Sequence, residues 1–113
     1  MKTSELTGAA LDWAVAMAEG NVRLQYDSQE GLIINNVLGW IPYRPSLAWQ
    51  QGGPIIEREF MCISRTNKTR EQPWAAYIDG YYSIDGPTLL IAAMRCYVAS
   101  KLGYEVDVPE ELK

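Results

Sequence analysis

Gly86-Pro87-Thr88-Leu89-Leu90-Ile91-Ala92-Ala93-Met94-Arg95-Cys96-Tyr97-Val98-Ala99-Ser100-Lys101-Leu102-Gly103 reads as one helix with both of its ends written in. Pro87 fits the first turn, where an amide would be unpaired anyway, and Asp85 or Gly86 fits the cap. Leu90, Ala93, Met94 and Tyr97 form one apolar stripe. Ile91, Val98 and Leu102 widen it, so the helix is buried over much of its girth. Lys101 suits the negative end of the dipole, and Gly103 is the stop. Arg95 interrupts the apolar run and needs a carboxylate or carbonyl partner. A structural ion pair or a contact between copies is favoured there over an anion clamp.

Such a helix needs apolar partners, and the chain upstream offers them. Ile55 to Arg65 has the β-branched and aromatic content of a strand. Thr66 to Thr69 reads as a reversal, and Trp74 to Ile78 as the returning strand of a hairpin. Asp79-Gly80 signals a turn into a short strand over Tyr81 to Ile84. At the other end, Leu11, Ala14, Val15 and Ala18 mark a second helix. Thr7 is its cap, Leu6 and Leu11 its staple and Gly20 its stop. Val22, Leu24 and Tyr26 alternate with Arg23, Gln25 and Asp27, as in a half-buried strand. Leu32 to Ile34 suggests another strand, and Asn35-Asn36 a turn. Residues 39–54, GWIPYRPSLAWQQGGP, carry Pro42, Pro45 and Pro54. Each proline removes a donor and restricts its predecessor, so the stretch reads as a loop. The tail from Tyr104 to Lys113 reads as extended, then frayed. The expected fold is α+β: one antiparallel meander of about 4–5 strands, packed with an N-terminal and a C-terminal helix in a single domain, 1–113.

Composition excludes several kinds of chemistry. Ten basic and 14 acidic residues give the 113-residue chain a net charge of −4, and it has no histidine. Ser-His-Asp and Cys-His catalysis and His-ligated metals are therefore out. An acidic balance speaks against a nucleic-acid partner. The run Leu89–Met94 is too short to span a bilayer, and Met1–Glu5 does not open a signal peptide, so the expected location is the cytoplasm. Cys62 and Cys96 are expected as free, buried thiols and form no zinc pair. No metal or cofactor site is expected.

The stretch 43–54 is where recognition is best provided for. Tyr43 and Trp49 offer flat faces for a planar group. Arg44, Ser46 and Gln50 offer polar contacts. Gly52-Gly53 allows backbone amides to turn toward a ligand. The same residues also suit an ordered loop that plugs the sheet. Thr88 adds a hydroxyl at a helix start, which is either a cap or an anion contact. Glu57 and Glu59 share one face of the expected strand, as an exposed pair or as acid–base or metal ligands. No other residue completes a catalytic set with them.

Three segments together resemble a known family: KTSELTGAALDWAVAMAEG (2–20), YRPSLAWQQGGPIIERE (43–59) and GPTLLIAAMRCYVASKLGYEVDVPEEL (86–112). They are similar to the NinX-like family of small tailed-phage and prophage proteins, named after the nin region of lambdoid phages. The family pattern matches Tyr43, Pro45, Ser46, Trp49 and the run Gly52 to Glu57. Trp74 with Ala76, and Gly86 with Thr88, also match. The family has small polar residues where this chain has Leu47 and Ala48. The resemblance carries no established activity. It implies an accessory phage protein in the bacterial cytoplasm, and it favours recognition over packing for the central loop.

The functional expectation is a non-enzymatic binder of a small planar or phosphorylated ligand. Such a ligand is nucleotide-like, for example a host defence signal. Tyr43, Arg44, Ser46, Trp49, Gln50, Gly52, Gly53 and Thr88 are its expected contacts. The alternative is a protein-interaction module for a host or phage enzyme, with exposed Trp and Tyr as anchors. A homodimer or higher oligomer is expected from the alanine-rich helix face and the amphipathic aromatics.

Overall fold

The computed structural model describes residues 1–20, 23–36, 39–79 and 83–113. Its helices are α1 (Gly8–Ala18), α2 (Trp49–Arg58) and α3 (Leu89–Leu102). Its strands are β1 (Leu24–Asp27), β2 (Gly31–Asn36), β3 (Gly39–Pro42), β4 (Cys62–Arg65), β5 (Trp74–Tyr77) and β6 (Ile84–Gly86). The class is α+β. Among the described residues, two three-stranded antiparallel sheets, β1-β2-β3 and β4-β5-β6, stand in place of one meander.

The long helix holds these pieces together. α3 packs against α1, α2, β5 and β6. Ala92, Ala93, Met94, Cys96 and Val98 are wholly buried, as the broad apolar girth requires. Small residues set the spacing. Ala76 of β5 has no exposure, and a Cβ added to Gly86 would lie 2.5 Å from the Ala92 backbone nitrogen. β6 therefore crosses α3 at backbone distance, which only glycine allows. The N-cap of α3 is Thr88, later than the sequence suggested, because its Oγ1 accepts from the Ile91 amide at 3.1 Å. Pro87 consequently precedes the helix. Arg95 has no carboxylate contact among the described residues. Its guanidinium donates to Leu6 O (2.8 Å), Gln72 Oε1 (2.7 Å) and Asp85 O (2.9 Å). Arg95 thus ties together the N-terminal segment, β6 and the approach to β5.

α1 follows its reading, with Leu6 and Leu11 fully buried. Thr7 occupies the N-cap, but its side chain makes no capping bond. The alanine-rich face of α1 meets α3 in the same chain, so it is an internal surface. Asn35-Asn36 is not a turn: these residues end β2 and pair with Trp40 and Gly39. Leu24, Leu32 and Ile34 turn one face of this sheet to the core. Val22, the start of the expected first strand, lies outside the described residues. So do residues 80–82, which hold Gly80 of the expected turn and Tyr81 and Tyr82 of the expected third strand; β6 begins at Ile84.

The largest correction concerns residues 39–61. β3 occupies 39–42, and α2 takes up Gly52-Gly53-Pro54 together with Ile55 to Arg58, which had read as strand. Pro54 lies inside the helix and removes one hydrogen bond. Burial outweighs that loss, because Gly52 and Ile55 fall one turn apart on the face turned inward. The helix closes with paired bonds from Phe60 N to Glu57 O and from Met61 N to Ile56 O, both 3.2 Å. This is a Schellman stop with phenylalanine, at φ 53°, in the left-handed position where glycine is usual. Glu57 therefore lies in the last turn of a helix and Glu59 at its C-cap, and the two do not share a face. Cys62 is exposed rather than buried, Cys96 is buried as expected, and both are free.

Candidate functional site

The segment between β3 and α2 is a tight turn held by side chains from outside it. Leu47 N and Ala48 N donate to Arg44 O at 3.0 and 2.7 Å. Gln51 clamps the turn from α2, accepting from Arg44 N (2.6 Å) and donating to Pro42 O (2.8 Å). The Ser46 amide donates to Asp12 Oδ1 of α1 at 2.9 Å. The Ser46 hydroxyl lies beside the same carboxylate and helps to lower its pKa. Yet this buried Oγ makes no hydrogen bond of good geometry.

This turn divides two clefts. The first has a volume of about 440 Å³ and is lined by Ser46, Leu47, Trp49, Trp74, Pro87, Thr88, Leu89 and Leu90. It brings Ser46, Trp49 and Thr88 together at the N-terminus of α3. Trp49 is 58 % exposed, and Trp74, which packs partly on the core, also faces the cleft. The second cleft, of about 330 Å³, has Asp12, Tyr26, Glu30, Tyr43 and Arg44 among its lining residues. Leu47 borders both clefts as an exposed ridge.

The remaining expected contacts are placed otherwise. Tyr43 is buried with its ring in the core, and the Arg44 guanidinium donates to Glu30 O at 2.9 Å. Gln50 is exposed and lines neither cleft. Gly52 and Gly53 do not form an open amide loop. The Gly52 amide is spent on Ala48 O at 2.9 Å, and Gly53 lies in the helix after it. Gly52 serves packing, since a Cβ there would lie 2.4 Å from Pro45 O and 2.8 Å from Leu90 Cδ2.

Sequence reasoning missed two acids, Asp12 on α1 and Glu19 at its C-cap. Asp12 is 3 % exposed, and burial pushes its pKa up to about 6 against the opposing pull of Ser46 and Arg44. Glu19 behaves in the opposite way. Burial pushes it up, but hydrogen bonds from Arg58 and Tyr97 outweigh burial and hold it below the usual glutamate range. Arg58 grips Glu19 at 2.7 and 3.1 Å, and the Tyr97 hydroxyl donates to Glu19 Oε2. Arg58 also donates to Tyr97 Oη at 3.1 Å and to Glu59 Oε2 at 3.0 Å. This network pins α2 to α1 and α3. Among the described residues, no group of three His, Cys, Asp or Glu is placed to hold a metal ion, and no helix is long and apolar enough to cross a membrane.

These features define an α+β fold with two clefts flanking one clamped turn. The family model described as "Bacteriophage P22, NinX" matches residues 2–101, and the chain belongs to that family. No curated protein matches it.

Proposed function

We propose that this phage protein is a non-enzymatic binder of a small planar, phosphorylated ligand of nucleotide type, held in the cleft between Trp49 and Trp74. One observation carries the reading. Thr88, distant in sequence from Ser46 and Trp49, lines one cleft with them at the start of a 14-residue helix. The tryptophans supply stacking faces, and the helix start favours negative charge. Sequestering a nucleotide-derived defence signal in the host cytoplasm is the role such binding suits.

Tryptophan fluorescence and thermal melts across mono-, di- and cyclic nucleotides test this. A ligand at 100 times its Kd adds about 2.7 kcal/mol of stability. That response, lost in Trp49→Ala, is expected. A flat response across the panel, or the same response in Trp49→Ala, overturns the proposal.

A second reading, a protein-interaction module, draws on Phe60. This side chain is 88 % exposed and sits in a backbone conformation that disfavours it. A stoichiometric protein partner retained from phage-infected cells by the wild type, and lost with Phe60→Gly, distinguishes it. With the alanine face of α1 used internally, self-association rests on exposed aromatics such as Trp40, Trp49 and Phe60. Light scattering measures it directly.

A further inference from the structure

We infer that the cleft floored by Asp12 is a second recognition site, one that takes a planar group with paired N–H donors, such as a guanidinium or the amino edge of a guanine base. The inference does not depend on the reading of the tryptophan cleft.

Asp12 has a single hydrogen bond of good geometry, from the Ser46 amide, although a carboxylate can accept about four. A carboxylate 3 % exposed is normally paired with a cation. No ion pair to Asp12 is formed among the described residues. Arg44 acts on it through its charge, but the Arg44 guanidinium bonds Glu30 O instead. The adjacent Ser46 hydroxyl lies close enough to the carboxylate to lower its pKa, though with no bond of good geometry. Even with that hydroxyl counted, about half of the carboxylate's acceptor capacity lies unused at the wall of a cleft large enough for a heterocycle.

The lining narrows the chemistry. Asp12 and Glu30 set two acids against the one cation, Arg44, so a donor or cation is favoured over an anion. Two carboxylate oxygens match paired N–H groups better than a single ammonium. Tyr26, 48 % exposed, offers a face for a flat group. If Asp12 served only to accept from the Ser46 amide, Asn would do the same, and this separates the two roles.

The Ser46 amide is the reporter. Its ¹⁵N–¹H signal is followed while methylguanidinium or guanosine is added at millimolar levels, with methylammonium as the single-donor control. A saturable shift with either paired-donor probe, absent in Asp12→Asn, is expected. A guanosine response alone identifies a neutral base edge, and a methylguanidinium response alone a cationic one. Tyr26→Ala, at an exposed position, is expected to weaken binding several-fold, which keeps the test open should Asp12→Asn fail to fold. Trp49→Ala is expected to leave the shift intact, so this site and the tryptophan cleft stand or fall separately. No saturable shift from either paired-donor probe, persistence in Asp12→Asn, an equal response to methylammonium, or unchanged binding in Tyr26→Ala overturns the inference.

Discussion

Replacing Asp12 with Asn removes a buried charge and keeps its hydrogen bond, because the amide oxygen still accepts from the Ser46 N–H. The folded protein holds this carboxyl at about 6, against 3.8 for an ordinary aspartate. A raised folded value means that the protonated form favours folding. That stability is fully present below the ordinary aspartate range and is lost as pH rises through about 6. The difference is worth roughly 3 kcal/mol, with no discount for exposure at so buried a site. The stability of Asp12→Asn relative to wild type is therefore expected to climb by about 2.5 kcal/mol between pH ~4 and ~7.5. At the upper end this is a melting difference of roughly 10 °C for a chain of this length. Glu19, with its depressed pKa, gives a slope of opposite sign, and Arg44, Glu30 and Tyr43 flank the same cleft. All of these are common to both proteins and cancel in the comparison. Urea unfolding of the pair across that range is the assay. A difference that does not change with pH, or a wild type more stable than Asp12→Asn at neutral pH, would refute the reasoning.

Three further outcomes follow from geometry. Gly52→Ala forces a methyl against the Pro45 carbonyl, a backbone atom that cannot swing aside, and is expected to cost about 1–3 kcal/mol in urea unfolding; wild-type stability would contradict the packing described. Phe60→Gly relieves a left-handed residue at the Schellman stop and is expected to gain about 1 kcal/mol, or roughly 4 °C in a melt; a loss would show that Phe60 contributes packing its exposure does not reveal. A disulfide thiol reagent is expected to label Cys62 rapidly in the native protein. Cys96, buried and pushed up to about 11 by that burial, should react only on unfolding; prompt labelling of both would argue against the burial of α3.

The parts of the fold legible in the sequence are those whose ends are written locally. α3 shows an apolar girth, a hydroxyl start and a glycine stop, and it forms over Leu89–Leu102. α2 shows none of these. Its N-cap, Ala48, makes no capping bond, Pro54 interrupts it, and its stop is phenylalanine. What keeps it helical lies elsewhere in the chain: Pro45 and Leu90 beside Gly52, and Glu19 and Tyr97 around Arg58. A helix sustained by tertiary contacts leaves little local signal, and its β-branched pair Ile55-Ile56 gives a misleading one. The two sheets were hidden for a related reason. Whether successive hairpins join into one sheet depends on what packs between them, and here α3 takes β5 and β6 while α1 takes β2.

The site was legible in the same uneven way. Ser46, Trp49 and Thr88 could be chosen because their chemistry is visible in one letter each; Asp12 and Glu19 could not, because an acid on a helix reads as a solvated face. Their spacing was the available signal. Seven residues apart, with Val15 and Ala16 between them on the same side, they sit at the two ends of a stripe that is otherwise buried. Equivalent positions then meet different neighbours. The C-terminal turn of α2 brings a guanidinium to Glu19, and its pKa falls. The turn before α2 brings Asp12 one backbone amide and a hydroxyl, and its pKa rises. Glu19 is thereby used up in holding three helices together. Asp12 retains unused acceptor capacity at the edge of a cleft, and its charge costs the fold stability that an asparagine would not. An acceptor kept at that cost, beside an opening of suitable size, points to a partner from outside the chain.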